Sequence, residues 1–448
     1  MGHLAIIGCG YVGAVSAACF AHLGHTVQCV DIDERRVQLL RQGESPIHEP
    51  GLEALLKSGI GSGRLTFHSD YPDRIDAAIA FIAVNTPGSA EGAADLRAVR
   101  DAVATVAPLL PPNAIIVNKS TVPIGTGELV AGMARRAGRP DIAVVSNPEF
   151  LREGNAVHDF LQPDRIVLGS DHSDAVRRVA ELYAGLEAPV LEVDIRTAEM
   201  IKYASNAFLA TKISFINEMA AICEALGADV VSVANGMGLD ERIGSRFLNA
   251  GLGWGGSCFP KDVRALAHTA AIHGSTPQLL RSVIEINNQQ RLRVLSRLRS
   301  ELGGLDGSVI AVLGAAFKAD TDDIRNSPAL ELANLLSLEG AEVRIYASRR
   351  LRRCAGIGRS GMPRGRQRVM DAVEGADAVV FATEWPEFRA LDFGALATAM
   401  RGSVLLDSRN MLDPGCASAA GLRYIGVGRP RHESHVPAAA AVAAGGAS

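Results

Sequence analysis

No apolar run in this 448-residue sequence reaches the roughly 18–20 residues that a membrane-spanning helix needs, so no membrane partner is expected. Charge of one sign is also missing: 45 Lys and Arg face 49 Asp and Glu, a formal net charge of -4. Without a basic surplus, nucleic acid and anionic membrane surfaces are not expected as partners. The N-terminus enters an apolar strand at once with no basic, cleavable leader, which points to the cytoplasm. Seven cysteines, at 9, 19, 29, 223, 258, 354 and 416, make an odd number with no CxxC pair. Neither a disulfide framework nor a metal site is expected from them. Cys9, Cys19, Cys29 and Cys223 fall inside apolar strand or helix patterns and read as core residues. Cys258 alone lies in a glycine-rich loop.

Hydrophobic residues at 48% and charged residues at 21% describe an ordinary globular chain, long enough for two or three domains. Leu4 to Ile7 is a short apolar run closed by Gly8-Cys9-Gly10-Tyr11-Val12-Gly13, then a helical stretch, then Thr26 to Val30 ending at Asp31. That order is a dinucleotide fingerprint. Gly8 makes the turn, Gly10 admits the pyrophosphate, Gly13 lets helix and strand pack, and Asp31 accepts the ribose hydroxyls. The acid would repel a 2′-phosphate, so NAD is expected over NADP. Arg35 and Arg36 follow directly and otherwise read as a solvated helix face.

Alternation of strand and helix continues through Ala77 to Val84 and Ala114 to Asn118. Thr86 and Thr121 follow these strands, where a doubly wound sheet lines its ligand crevice, although each alone could be a turn former. Ile142 to Val145 leads into Glu149 and Glu153, either of which could serve as a general base and either of which could be a plain surface acid. After a boundary near Val193, Thr197 to Leu226 has helical periodicity, and its Lys202 and Asn206 share a face. Asn235 to Asp262 reads as a long loop, of the kind that usually carries function. Within it, Gly251 to Asp262 (GLGWGGSCFPKD) delivers Cys258 just before a helix start, so the helix dipole and Lys261 would favour a thiolate. The alternative is a tight turn with an inert cysteine.

Ser308 to Leu313 opens a second βαβ unit that echoes the first but lacks GxGxxG. The expected fold is α/β: two Rossmann-like doubly wound domains joined by a long central helix and a further helical segment. The expected domains are an NAD-binding domain over 1–195, a central helical domain over 196–300, a second Rossmann-like domain over 301–432 and a disordered tail over 433–448. Residues 349–368 carry eight arginines and no acid, which reads as a divergent surface loop.

Taken together, the segments resemble the UDP-glucose/GDP-mannose dehydrogenase family. Its blocks occur in order as GCGYVG, EPGL at Glu49, STVPIGT, NPEFLREG, the Lys202/Asn206 helix, ERIGSRFLNAGLGWGGSCFPKD, FKADTDDIRNSP and DSRN, over about residues 3 to 430. The resemblance implies an NAD-dependent oxidation of a sugar C6 alcohol to a carboxylate in two hydride transfers, with 301–432 as the UDP-sugar-binding domain and 196–300 as the helical dimerisation domain. UDP-glucose is the first choice of substrate, with GDP-mannose as the alternative and an inactive NAD-binding sensor or scaffold as a reading of another class. Ser257 stands where the N-acetylated-sugar branch typically has histidine, which argues against that branch.

By resemblance, Cys258 is the nucleophile that forms a thiohemiacetal and then a thioester. Lys202 stabilises the oxyanion, Asn206 and Asp262 with Thr121 polarise the reacting oxygen or water, and Glu153 is the base for hydrolysis. Substrate contacts are expected at Glu149, Phe150, Leu151, Lys202, Asn206, Phe247, Gly255, Phe317, Lys318 and Arg409, with Arg242 reaching a neighbouring subunit's site in a homodimer or higher homo-oligomer. Cofactor contacts are expected at Gly8, Gly10, Tyr11, Val12, Gly13, Asp31, Arg36, Thr86, Thr121, Glu153, Lys318 and Arg325. Asp407-Ser408-Arg409 replaces a more frequent Asp-Gly-Arg, which puts the backbone bend there in question.

Overall fold

A computed structural model describes residues 2–89, 92–347, 364–366 and 368–430. Most of the arginine-rich stretch, Cys354 and the alanine-rich tail lie outside the described residues. The chain divides into two compact units. One comprises Met1–Phe215, Gly253–Gln289 and Ala316–Leu330, the other Ile216–Leu252, Gln290–Ala315 and Glu331–Ser448.

The first unit is built on eight strands: β1 (His3–Ile7), β2 (Thr26–Val30), β3 (Leu65–His68), β4 (Ile79–Ile82), β5 (Ile115–Asn118), β6 (Ala143–Ser146), β7 (Ile166–Gly169) and β8 (Val190–Val193). They lie in the order β3-β2-β1-β4-β5-β6-β7-β8. All neighbours run parallel except β6 and β7, which meet antiparallel at Ser146 and Gly169. Strands such as β4 (IAFI) are apolar at every position because both faces are covered. Side chains alternate across the sheet: Leu4 and Ile6 join one buried cluster with Phe20 and Phe81, while Ala5 and Ile7 join another with Val30, Ile82 and Ile116. Strand order reverses between β1 and β4, and a doubly wound sheet opens its ligand crevice at the carboxyl ends beside that switch.

A long central helix, Ile195–Leu226, follows β8 in the sequence. The helix Phe259–Ile272 starts directly after Cys258 with Pro260 in its first turn, a position where the missing N–H costs nothing. Val263 of that helix packs with Ala210 and Val283 around Trp254. Trp254 is fixed further by its indole N–H on Ser214 Oγ (3.0 Å) and by Asn287, which accepts its backbone N–H at 2.8 Å. The loop expected over Asn235 to Asp262 is shorter than that, because the helices Val230–Gly238 and Phe259–Ile272 take both ends of it.

The second unit carries a parallel six-stranded sheet, β9 (Val309–Leu313), β10 (Glu342–Tyr346), β11 (Arg364–Arg366), β12 (Ala378–Phe381), β13 (Val404–Asp407) and β14 (Arg423–Gly426), in the order β11-β10-β9-β12-β13-β14. The α/β class, the two doubly wound sheets and the central helix agree with the sequence reading. Strands β3 (LTFH), β8 (VLEV), β11 (RGR) and β14 (RYIG) were not anticipated: each is short and interrupted by polar residues, and all four positions of β8 keep solvent access. Among the described residues no helix is long and apolar enough to cross a membrane.

Candidate active site

At the end of β1 the chain turns through Gly8 with φ +95°, where a Cβ would stand 2.7 Å from the Ala83 carbonyl oxygen. Gly13 sits in the following helix Tyr11–His22, and a Cβ there would lie 1.8 Å from the Gly8 carbonyl oxygen. Gly10 differs: its nearest neighbour in that direction is Asn85 Oδ1 at 3.7 Å. Two glycines therefore serve the protein's own packing, and the middle one leaves room for a ligand against the helix N-terminus. A cavity of about 700 Å³ opens here, lined among others by Gly8, Gly10, Asp31, Arg36, Tyr71 and Asn85.

Asp31 is buried at the end of β2. Its Oδ2 accepts the Cys9 N–H (2.6 Å) and Arg36 Nη1 (2.9 Å), and its Oδ1 accepts the Asp33 N–H (2.9 Å). Arg36 is thus a partner of Asp31 rather than part of a solvated face. A cradle with one open glycine, a free helix N-terminus and a carboxylate at the second strand fits a dinucleotide with an unmodified ribose.

Other expected cofactor residues are held by protein partners. The Tyr11 hydroxyl donates to Glu49 and accepts the Gly154 N–H at 2.9 Å, while Val12 is half-buried in the first helical turn. Thr86 Oγ1 donates to the Thr121 carbonyl at 2.7 Å, tying together the loops after β4 and β5. Glu49, buried and also accepting the N–H groups of Gly154 (2.8 Å) and Ala156 (2.7 Å), clamps the loop that carries Glu153.

A second cluster gathers on the central helix. Lys202, buried, donates to Glu149 Oε1 at 2.8 Å, and the Leu151 N–H donates to Glu149 Oε2 at 2.6 Å. Burial would raise the Glu149 carboxyl, but the Lys202 charge and hydrogen bond outweigh it and hold it below the usual range. Burial likewise opposes the Lys202 cation, and Glu149, Cys258 and Asp262 together hold it above the ordinary lysine value. Phe150 lies with Arg165 3.7 Å and Lys202 Nζ 5.5 Å from its ring centre. One turn beyond Lys202, Asn206 Nδ2 donates to Asp262 Oδ2 at 2.6 Å.

Lys261 does not act as expected. Its Nζ bonds Asp262 Oδ1 at 2.6 Å, so its charge is matched by a carboxylate before it reaches the thiol. Burial pushes the Cys258 thiol up to about 11, with Glu149 and Asp262 adding to the rise and Lys202 and a Ser257 hydrogen bond opposing it. Placement at the helix start is thus not enough to make a standing thiolate.

Glu153 behaves oppositely to Glu149. Burial and the Asp323 charge push its carboxyl up to about 7, against Ser257 and Arg325. Its Oε1 accepts Ser257 Oγ at 2.7 Å, Thr321 Oγ1 is 3.4 Å from its Oε2, and Arg325, held mainly by Asp323, comes within 3.5 Å. Of two acids four residues apart, one is neutralised by a lysine and the other is poised near neutral pH.

Gly255 and Gly256 are packed rather than open: added Cβ atoms would meet Asn326 O at 2.1 Å and the Phe317 ring at 2.9 Å. Lys318 Nζ lies 5.7 Å from the Phe317 ring centre. All of these residues belong to the first unit.

Three expected substrate residues belong to the second unit. Arg242 is exposed and paired with Asp240 (2.6 Å), and Phe247 holds φ +65°, a strained value for an aromatic residue. Arg409 Nε donates to the Ala382 carbonyl at 2.9 Å and lies 3.2 Å from Glu384. Ser408 does not need glycine's freedom: the left-handed residue is Asn410 (φ +52°), and the buried Ser408 hydroxyl bonds the Phe381 carbonyl at 2.7 Å.

Sequence reasoning gave no role to Thr321, Asp323 or Glu199, although Glu199, an acid one turn before Lys202 in an apolar helix, could have been flagged. Cys9, Cys19, Cys29 and Cys223 are buried, as read from the sequence. Among the described residues, no group of His, Cys, Asp and Glu is arranged to hold a metal ion.

Fold and cavity together define an NAD-binding α/β protein of the dehydrogenase type. Models of the UDP-glucose/GDP-mannose dehydrogenase family match its NAD binding domain at residues 2–187, its central domain at 196–289 and its UDP binding domain at 311–414. The sequence is 45% identical to a UDP-glucose 6-dehydrogenase of Bacillus subtilis over 96% of this chain and 94% of that one. It is also 45% identical to one of Pseudomonas aeruginosa, over 98% and 100%. A UDP-glucose dehydrogenase structure from the archaeon Pyrobaculum islandicum superposes with a TM-score of 0.87 at 38% identity, covering 96% of this chain and 98% of that one. The chain belongs to the UDP-glucose/GDP-mannose dehydrogenase family.

Proposed function

We propose that this chain oxidises UDP-glucose at C6 to UDP-glucuronate, in two successive two-electron steps that consume two NAD. The observation that carries the reading is the cluster of Cys258, Lys202, Asn206, Asp262, Glu149 and Glu153, in which Glu149 and Glu153 are driven to opposite protonation behaviour. Bound NAD supplies the hydride acceptor. The protein does the rest. Cys258 adds to the C6 aldehyde, Lys202 offsets charge developing on oxygen, and Asn206 and Asp262 orient the reacting oxygen or water, a task to which Thr121 of the loop after β5 is also assigned. Glu153, near neutral in its proton affinity, takes a proton from the water that cleaves the thioester. Phe317 and Lys318 are assigned to the UDP-sugar.

Purified protein with UDP-glucose should release two NADH per sugar. Turnover of GDP-mannose with none of UDP-glucose would transfer the assignment to the other branch. Cys258→Ser should abolish acid formation, and acid made at the parental rate by that variant would end the covalent reading.

A homodimer is part of the same proposal. Met200, Phe208, Phe215 and Ile222 are exposed along one stripe of the central helix, a pattern that favours burial against a second copy. Light scattering on Phe208→Glu should show a shift toward monomer relative to the parent, and an unchanged mass would exclude this stripe as the interface.

A further inference from the structure

We propose that Ser257 is a proton relay, carrying the proton of the Cys258 thiol to the Glu153 carboxylate as the sulfur attacks. The inference deepens the covalent reading above and rests on it: the same carboxylate proposed to activate water also receives the earlier proton.

Direction follows from counting hydrogens. A serine hydroxyl has one proton to donate. Ser257 Oγ donates its proton to Glu153 Oε1 at 2.7 Å. Its contact with Cys258 Sγ at 3.6 Å can then be filled only by the thiol hydrogen pointing at Ser257 Oγ. The chain S–H to O–H to carboxylate is therefore already polarised from sulfur to Glu153.

The thiol has need of such a path. Burial keeps it protonated near neutrality, and Lys261, the nearest cation in sequence, is bound to Asp262. The other carboxylates that act on the thiol are engaged elsewhere: Glu149 with Lys202 and the Leu151 N–H, Asp262 with Asn206 and Lys261. Glu153 is poised to accept: Ser257 and Arg325 face its Oε1, Thr321 its Oε2, and the Asp323 charge raises its proton affinity.

Backbone anchors hold the relay at its working distance. The Gly256 N–H donates to the Arg325 carbonyl at 3.0 Å, and Asn326 Nδ2 donates to the Gly256 carbonyl at 3.2 Å. On the other side, Gly154 is pinned by Glu49.

In the addition step the sulfur lone pair forms the S–C bond and the carbonyl π pair moves onto oxygen. The S–H bond breaks as its proton passes to Ser257 Oγ, whose own proton passes to Glu153. No oxidant or reductant is involved. Glu153 must then release that proton to solvent before it can serve the hydrolysis step.

The test uses the full-length protein and iodoacetamide, without sugar nucleotide. Alkylation forms the same S–C bond with loss of iodide and reports thiol activation alone. In the parent, the rate should rise as Glu153 ionises near pH 7 and then level. Ser257→Ala should lose that limb, react about 10²-fold more slowly at pH 8, and climb only toward the thiol's own ionisation near 11. Ser257→Thr, which keeps the hydroxyl, should restore the parental profile. Glu153→Gln should copy Ser257→Ala, and the double variant should be no slower than either. A parental profile in Ser257→Ala overturns the relay, and so does loss of the limb in Glu153→Gln alone. Because no sugar is present, failure here leaves the two-NADH stoichiometry standing. Failure to oxidise UDP-glucose with the alkylation profile intact would sink the substrate reading alone.

Discussion

Gly8 after β1 and Gly314 after β9 have the same backbone conformation, φ +95° in both, at the same place in two different sheets. Each N–H bonds the last residue of the neighbouring strand, Gly8 to Val30 at 2.8 Å and Gly314 to Tyr346 at 3.1 Å. Each also lacks room for a Cβ, against Ala83 O at 2.7 Å and against Thr383 Oγ1 at 2.5 Å. Beyond that point the two sheets part company. Five residues on, the first has Gly13 and the second Ala319; at the end of the next strand the first has Asp31 and the second Ala347. The frame that turns a strand toward a crevice is shared, while the atoms that would hold a dinucleotide belong to one sheet only. The family's assignment of NAD to the first domain and UDP to the third follows the same division.

Gly13→Ala should break the comparison most severely. The new Cβ would stand 1.8 Å from the Gly8 oxygen, so the helix must leave the strand, and the Kd for NAD should rise by about 10²-fold or more. Asp31→Ala comes next. Losing an acceptor for the ribose hydroxyls should cost roughly 1.5–3 kcal/mol, about 10- to 10²-fold in the Kd for NAD, while NADP binding improves relative to NAD. An unchanged NADP to NAD ratio would show that Asp31 serves only Arg36 and its own turn. Gly314→Ala should be smaller and of another kind: about 1–3 kcal/mol of stability lost to strain, with the Kd for NAD held within about twofold. A rise in that Kd as large as for Gly13→Ala would mean the two sheets are not functionally distinct.

These contrasts also show what sequence could and could not deliver. The switch-point crevice was legible because strand, GxGxxG, helix and Asp31 are adjacent in the chain and each residue type has a local reason. The echo at Gly314 was legible because Ile310-Ala311-Val312-Leu313-Gly314 parallels Leu4-Ala5-Ile6-Ile7-Gly8. The protonation behaviour of Glu149 and Glu153 was not, since both belong to one short motif and differ only in what distant segments bring: Lys202 53 positions away for one, Ser257 and Thr321 104 and 168 positions away for the other. Lys261 misled for a local reason. It stands three residues from Cys258, but its bond is to the adjacent Asp262. Strands β3 (LTFH) and β14 (RYIG) were missed because they mix polar and exposed positions with buried ones, whereas equally short strands such as β4 (IAFI) are apolar throughout.

The loops after β5 and β13, which hold equivalent places in the two strand orders, give the finest form of the comparison. Asp407, the last residue of β13, pins its own loop through the N–H groups of Arg409 (3.0 Å) and Leu412 (2.8 Å). The loop after β5 has no such acid and borrows Glu199 from the central helix, whose oxygens accept the N–H groups of Gly125 (2.6 Å) and Gly127 (2.8 Å). Burial pushes Glu199 up to about 7 from 4.5, against those two backbone bonds. The unfolded chain therefore releases this proton first as pH rises, and folding stability falls between about pH 4.5 and 7, by an amount of order 1–3 kcal/mol. Glu199→Gln does not titrate but can accept only one of the two N–H groups, which costs about 1 kcal/mol at any pH. Denaturant midpoints should therefore show the variant less stable than the parent at pH 5 and level with it or more stable at pH 8. A constant gap at both values would mean that Glu199 stays ionised throughout, and that the borrowed acid is no more costly than the local one at Asp407.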